Sequence, residues 1–152
     1  MEKTILILIF IMLVCCIWAT VGRCEPVTVD LAIVAQIESS GNPDAYNARS
    51  GATGMYQIMP VCLKDYNQYH KSSQYTMQEM FDPAKARIIS DWYLHKRIPV
   101  LLRSVEVPVT LEHVLYAYNA GAGTVGKWYR GKRKLSKETR EYYQKYLTRK
   151  AR

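Results

Sequence analysis

Residues 29–43 read VDLAIVAQIESSGNP, and this stretch decides the fold. Its apolar positions surround the helix instead of forming one stripe, which predicts a central, buried helix over about residues 29–40. Gly41 can adopt the left-handed conformation that ends a helix, and Pro43 cannot continue one. The pattern therefore predicts where the helix stops as well as where it lies.

One carboxylic acid stands within this apolar surface. Glu38 shares a helix face with Leu31, Val34 and Ala35. Burial and the negative end of the helix both disfavour its ionised form, so we expect a raised pKa. A carboxyl that stays protonated near neutral pH can act as a general acid, which makes Glu38 the candidate catalytic residue. From periodicity alone, a glutamate that simply reaches water at the helix end is the alternative.

The rest of the chain is predicted to consist of helices joined by loops. Helices are expected over residues 61–69, 83–97, 110–119 and 137–149, each begun by a capping residue or proline or ended by glycine or proline. No alternating, strand-like run exceeds four residues. The predicted fold class is therefore all-α, mainly helical, with at most a minor β-hairpin.

The N-terminal segment has the pattern of a secretory signal peptide. Residues 5–19 are fifteen consecutive apolar residues, a length short for a membrane span. We expect residues 1–24 to be removed, with cleavage near 22–24, and residues 25–152 to form one domain with a basic C-terminal tail. The alternative is an uncleaved segment, which would then be the chain's contact with the membrane. Either case places the domain in the periplasm or outside the cell.

The net charge of +8 favours a polyanionic partner, and export excludes nucleic acid. Eleven of the last 26 residues are Lys or Arg, which indicates either a solvated helix or adhesion to an anionic polymer. Cys24 and Cys62 remain after cleavage before Cys24, and an oxidising compartment leaves open a disulfide between them or two free thiols. No Cys/His spacing is typical of a metal site, so neither metal nor cofactor is expected.

Two short segments combine apolar, aromatic and amide side chains. Gln57 lies among Met55, Ile58 and Met59 after a glycine-rich loop, and Tyr118 with Asn119 precedes a Gly-Ala-Gly turn. Sugars are bound by aromatic faces together with amide and hydroxyl hydrogen bonds, so these segments suit a glycan cleft.

The chain contains four blocks that resemble, in order, the QESxxNP, GxxGLMQIMP, AYNAGxGxV and ETRxY elements of soluble lytic transglycosylases: residues 35–43 (AQIESSGNP), 51–60 (GATGMYQIMP), 117–125 (AYNAGAGTV) and 138–142 (ETREY). The resemblance implies a goose-type-lysozyme-like, mainly helical fold that cleaves peptidoglycan glycan strands. It implies that Glu38 protonates the oxygen between N-acetylmuramic acid and N-acetylglucosamine and then deprotonates the muramic 6-hydroxyl, leaving a 1,6-anhydro end.

The same resemblance implies roles for residues around the acid. Those expected to contact substrate are Gln57, Asn119, Tyr118, Tyr142, Met55 and Tyr56. Two departures from the family pattern stand out. The serine expected nine residues after the acid is Asn47, with Ser50 as the alternative after a one-residue insertion, and Tyr56 replaces a methionine.

Two rival functions stay open at this point. A muramidase would hydrolyse the same bond, with Asp44 or Asp65 positioning water. A non-catalytic module would only bind the wall through its basic tail. A small exported enzyme of this kind resembles the family members that open gaps for a secretion or conjugation apparatus, with general wall turnover and a phage origin as alternatives. We expect it to act as a monomer.

Overall fold

The computed structural model describes residues 26–152. Seven α-helices follow one another in this part of the chain: α1 (Leu31–Ser39), α2 (Pro60–Tyr69), α3 (Pro83–Trp92), α4 (Ile98–Ser104), α5 (Leu111–Ala120), α6 (Ala122–Tyr129) and α7 (Lys137–Lys150). The predicted mainly helical class is confirmed. The predicted signal segment and Cys24 lie outside the described residues.

A short hairpin, with two residues in each strand, is the β-sheet of the described residues. Strand β1 (Tyr46–Asn47) pairs antiparallel with β2 (Ala52–Thr53). The following turn needs glycine, because Gly54 has φ +76° and a Cβ there would lie 2.0 Å from the carbonyl oxygen of Met80. The close approach joins the hairpin to a 3₁₀ turn, Met77–Phe81.

Helix α1 is held centrally, as its sequence predicts. Val34 and Ala35 are almost completely buried. Asp30 caps the helix by accepting a hydrogen bond from the Ala32 N–H at 2.8 Å. At the other end both Ser40 and Gly41 have positive φ, so the left-handed cap begins one residue before the glycine.

Helix α7 lies along α1 and contacts both of its ends. The Tyr146 hydroxyl accepts a hydrogen bond from the Asp30 N–H at 2.7 Å, and the Tyr142 hydroxyl donates to Glu38 at 2.8 Å. Helix α5 packs against α6 and α7, and α3 contacts α1. The first and last described helices are therefore direct neighbours.

The prediction that the third helix ends near Arg97 is wrong. A π-helical turn, Tyr93–Arg97, joins α3 to α4, and the helical backbone continues to Ser104. Pro99 has no N–H, and its ring would clash with the carbonyl four residues earlier in a regular helix. The wider turn accommodates the proline: the Ile98 N–H donates to the carbonyl of Tyr93, five residues back.

Helix α6 was not predicted, because the Gly-Ala-Gly sequence indicated only a turn. Gly121 does end α5, but its extended ψ of 142° lets α6 begin at the next residue. None of the helices in residues 26–152 combines the length and apolar character that crossing a membrane requires.

Candidate active site

A groove of about 450 Å³ runs past the end of α1. Its lining comes from α1, the hairpin, the start of α2, the π turn, the end of α5 and the start of α7. The predicted site residues among them are Glu38, Asn47, Ser50, Gln57, Tyr118 and Asn119. Residues of the segments 38–62 and 117–138 thus meet in space at this groove.

Glu38 projects from the last turn of α1 into this groove and is half-buried. The pKa of its carboxyl is raised to about 7: burial raises it most, the Tyr142 hydrogen bond lowers it in part, and the nearby Glu138 carboxylate raises it by a smaller amount. The expected raised pKa is found, with desolvation as the principal cause. At neutral pH the group can therefore both give and take a proton.

Two tyrosines lie near the acid, and one of them forms a hydrogen bond with it. Tyr142 is 3% exposed and donates to Glu38 Oε1 at 2.8 Å, and burial holds its own pKa far above the usual range. Tyr118 lines the groove and donates to the carbonyl oxygen of Tyr56 at 2.8 Å, and burial followed by the charge of Glu38 raises its pKa. Both phenols remain neutral hydrogen-bond donors.

The amide of Gln57 is partly committed to its own loop. The backbone has φ +49°, and Nε2 donates to the carbonyl oxygen of Gly54 at 3.0 Å. No hydrogen bond to its carbonyl oxygen Oε1 occurs within the described part of the chain. Gln57 therefore offers an acceptor to a ligand in the groove.

Asn119 links α5 to α7. Its Oδ1 accepts a hydrogen bond from Thr139 Oγ1 at 2.7 Å, and its Nδ2 lies 3.5 Å from Glu138 Oε1. Since Gly121 caps α5, the Asn119 side chain is not needed as a cap and instead faces the groove.

Both alternatives for the family serine line the groove. Asn47 Oδ1 accepts hydrogen bonds from the backbone N–H groups of Arg49 and Ser50, at 3.1 and 3.2 Å. Ser50 Oγ accepts from the Ala52 N–H at 3.3 Å. Ser50 keeps its hydroxyl hydrogen for a ligand and Asn47 keeps its NH₂ group.

Met55 and Tyr56 do not line the groove. Tyr56 is 3% exposed in the core, and Met55 packs against the core. The apolar groove surface comes instead from Ile58, Met59 and Val61, with Met59 and Val61 well exposed. The turn that begins at Gly54 places Met55 and Tyr56 on the core side, and the sequence offered no residue-level signal for that turn's direction.

Two further lining residues were missed. Tyr93 reaches the groove from the π turn, and Glu138 does so from the first turn of α7. Glu138 stands in the ETREY block, which was the available signal. Asp44 and Asp65, the acids considered for a hydrolase, do not line the groove; Asp65 forms a two-point ion pair with Arg97, at 2.6 and 2.9 Å.

Cys62 forms the buried floor of the groove, and burial raises the pKa of its thiol to about 12. A disulfide between Cys62 and Cys24 and two free thiols both stay open as predictions, because Cys24 lies outside the described residues. In residues 26–152 no cluster of three or more His, Cys, Asp or Glu side chains is placed to hold a metal ion.

The family model described as "Transglycosylase SLT domain" matches residues 24–141, more than three quarters of the chain. The match spans the whole groove up to Glu138. No curated protein and no solved structure shows significant similarity to this chain.

Proposed function

Because the chain belongs to the transglycosylase SLT domain family, we propose that it is a peptidoglycan lytic transglycosylase. It cleaves the β-1,4 bond between N-acetylmuramic acid and N-acetylglucosamine and leaves 1,6-anhydromuramoyl ends. The observation that carries the proposal is Glu38: one carboxyl, half-buried on a groove, with a pKa of about 7 and a tyrosine donor at 2.8 Å.

In the first step Glu38 is the general acid. Its protonated carboxyl gives the proton to the bridging oxygen as the bond to C1 of the muramic sugar breaks. A pKa near 7 leaves about half of the enzyme correctly protonated at neutral pH. The departing sugar leaves with a free 4-hydroxyl.

In the second step the Glu38 carboxylate is the general base. It takes the proton from the 6-hydroxyl of the same muramic sugar as that oxygen bonds to C1, so no water is consumed and Glu38 returns to its protonated form. Tyr142 stabilises the carboxylate between the two steps by its hydrogen bond. The nucleophile belongs to the substrate, so orientation replaces a second carboxylate.

Orientation is the task of the groove. Ser50, Asn47, Gln57 and Asn119 supply hydrogen-bonding groups for the acetamido and hydroxyl groups of the sugars. Met59 and Val61 supply apolar surface; this part was expected of Met55 and Tyr56. Tyr56 instead contributes from the core, where its carbonyl oxygen accepts a hydrogen bond from the Tyr118 hydroxyl.

A muramidase is the second candidate, and one observation favours it. Glu138 brings another carboxylate to the groove, where it could position a water molecule. Glu138 also contacts Asn119, at 3.5 Å, which gives it a second, purely structural use.

Product analysis separates the candidates. Purified peptidoglycan is digested with wild type, Glu38→Gln and Glu138→Gln, and the soluble products are weighed by mass spectrometry. We expect anhydro ends from wild type, none from Glu38→Gln, and anhydro ends again from Glu138→Gln. Reducing ends from wild type would establish hydrolysis, and lysis by a folded Glu38→Gln enzyme would remove Glu38 from the mechanism.

The remaining assignments are also proposals. The substrate lies outside the cytoplasm, which supports the export of the enzyme. Residues 1–24 direct export to the periplasm or the medium, residues 25–152 form the catalytic domain, and the enzyme acts as a monomer that serves a secretion or conjugation apparatus. N-terminal sequencing of the exported protein tests the cleavage site: a mature chain that starts within residues 23–25 supports it, and retention of residue 1 contradicts it.

A further inference from the structure

A second cavity, of about 260 Å³, adjoins the groove. The two share Asn119, Ala120 and Glu138, so they meet along one wall. A polymer lying in the groove therefore passes the mouth of this cavity, which offers space for a substituent that branches from the polymer.

Two cations line the second cavity. Arg133 and Lys134 belong to the α6–α7 loop, residues 130–136. Both are exposed, and neither forms an ion pair or side-chain hydrogen bond with any residue of 26–152. Glu138 is the one acid of the lining, so the cavity carries a net positive charge.

The backbone of this loop is anchored on both sides of Arg133 and Lys134. Gly131 turns the chain with φ +70° and donates its N–H to the carbonyl of Trp128 at 2.8 Å. Leu135 is 5% exposed in the core, and Ser136 caps α7 by accepting from the Thr139 N–H at 3.1 Å. Arg130 differs from its neighbours because its guanidinium donates to the carbonyl of Val105, at 2.8 Å. Arg133 and Lys134 therefore lie between anchored residues, and their side chains have no partner within residues 26–152.

The proposed substrate carries anionic branches. In peptidoglycan each muramic sugar bears, through its lactyl group, a short peptide with free carboxylates. Arginine and lysine side chains recognise carboxylates through charge-assisted hydrogen bonds. We propose that the second cavity binds a carboxylate of this peptide through Arg133 and Lys134, so that the enzyme prefers peptide-bearing glycan to glycan stripped of its peptides. This inference rests on the proposed function and adds a specificity site to it.

The test compares two substrates. One is intact peptidoglycan strands; the other is the same strands after an amidase has removed the peptides, which leaves only the lactyl carboxylate. For Arg133→Ala/Lys134→Ala we expect kcat/KM on intact strands to fall about three- to tenfold, the effect of losing one or two exposed charge pairs, with no change on stripped strands. Lys132→Ala is the matched control, because Lys132 is exposed on the same loop but does not line the cavity.

Three results would overturn the inference: no loss on intact strands, an equal loss on both substrates, or an equal loss in Lys132→Ala. The first means that the cavity is not used, and the other two mean that the basic surface attracts the polymer without selecting it. Thermal unfolding of each variant verifies that the fold is unchanged.

A binding measurement separates this inference from the proposed function. Titration calorimetry with a soluble disaccharide-peptide uses Glu38→Gln and the triple variant Glu38→Gln/Arg133→Ala/Lys134→Ala. Weaker binding by the triple variant, with equal affinity of the two for the peptide-free disaccharide, supports the cavity whether or not wild type releases anhydro ends. Equal affinity for the disaccharide-peptide refutes it.

Discussion

The replacement of Glu38 by Gln tests the environment of the acid independently of catalysis. The pKa of this carboxyl is raised from an ordinary value of 4.5 to about 7 in the folded protein. Folding therefore favours the protonated form. Stability from this group is complete below pH 4.5, falls as the pH rises toward 7, and stays low above it. Gln cannot ionise but can still accept the Tyr142 hydrogen bond, so the variant lacks this decline.

The size of the effect follows from the difference between the two pKa values. At about 1.36 kcal/mol per pH unit, wild type loses up to roughly 3 kcal/mol between pH 4.5 and 7.5 that the variant keeps. Glu38 is only half-buried, and water in the groove reduces the figure, so we expect about 2 kcal/mol in a measurement. The free energy of unfolding of the variant should thus increase relative to that of wild type as the pH rises.

The assay is urea unfolding of both proteins at pH 4.5, 6 and 8. Glu79→Gln is the matched control, because hydrogen bonds from Lys85 and Thr76 hold the pKa of Glu79 well below its usual range. The difference in unfolding free energy between that variant and wild type should be the same at pH 6 and 8, because Glu79 is ionised in both the folded and the unfolded protein there, and it should only begin to change at pH 4.5. A constant difference between Glu38→Gln and wild type over this range would show that the carboxyl is ionised in water, and the argument for an acid at neutral pH would fail.

Three other substitutions probe the site and the turn after the hairpin, and a fourth, Gly131→Ala, is a control in the α6–α7 loop. In Tyr142→Phe the hydrogen bond that lowers the pKa of Glu38 is lost, so the fall of kcat/KM at alkaline pH should move to higher pH; a shift downward would contradict this. In Glu138→Gln a neighbouring negative charge is lost and the same fall should move to lower pH, and an unmoved profile would show that the two carboxylates do not interact. Gly54→Ala should lower the free energy of unfolding by about 3 kcal/mol or more, since its Cβ meets a carbonyl oxygen at 2.0 Å. Gly131→Ala, where φ is +70° but nothing lies within 4 Å, should cost only about 1 kcal/mol in the same urea assay, and equal losses would refute the clash.

The features that local sequence determines were predictable. The all-round apolar pattern placed α1 in the core, and the acid near its end lies on the groove with the raised pKa that burial requires. Helix starts at Pro83 and Leu111, after the capping residues Asp82 and Thr110, follow from capping chemistry, which involves only neighbouring residues. These predictions needed no knowledge of the tertiary structure.

The features that depend on tertiary packing could not be predicted from the sequence. Pro99 indicated a helix end, but a π turn absorbs it and carries Tyr93 to the groove. Met55 and Met59 look equivalent in the sequence, but Met59 lies on the groove at the start of α2 while Met55 packs against the core. Glu138 reaches the acid because α7 docks beside α5, a contact between segments far apart in the chain.

The pairing of α1 with α7 makes the environment of the acid depend on a helix that is made long after α1. Residues 38 and 142 are 104 positions apart, and the two tyrosines that touch α1 lie in the final helix. In a fragment that lacks α7, Tyr142 no longer covers the Glu38 carboxyl, so we expect the pKa of that carboxyl to fall toward its ordinary value and the group to be ionised at neutral pH. Fragments that stop short of α7 are therefore expected to leave the wall intact.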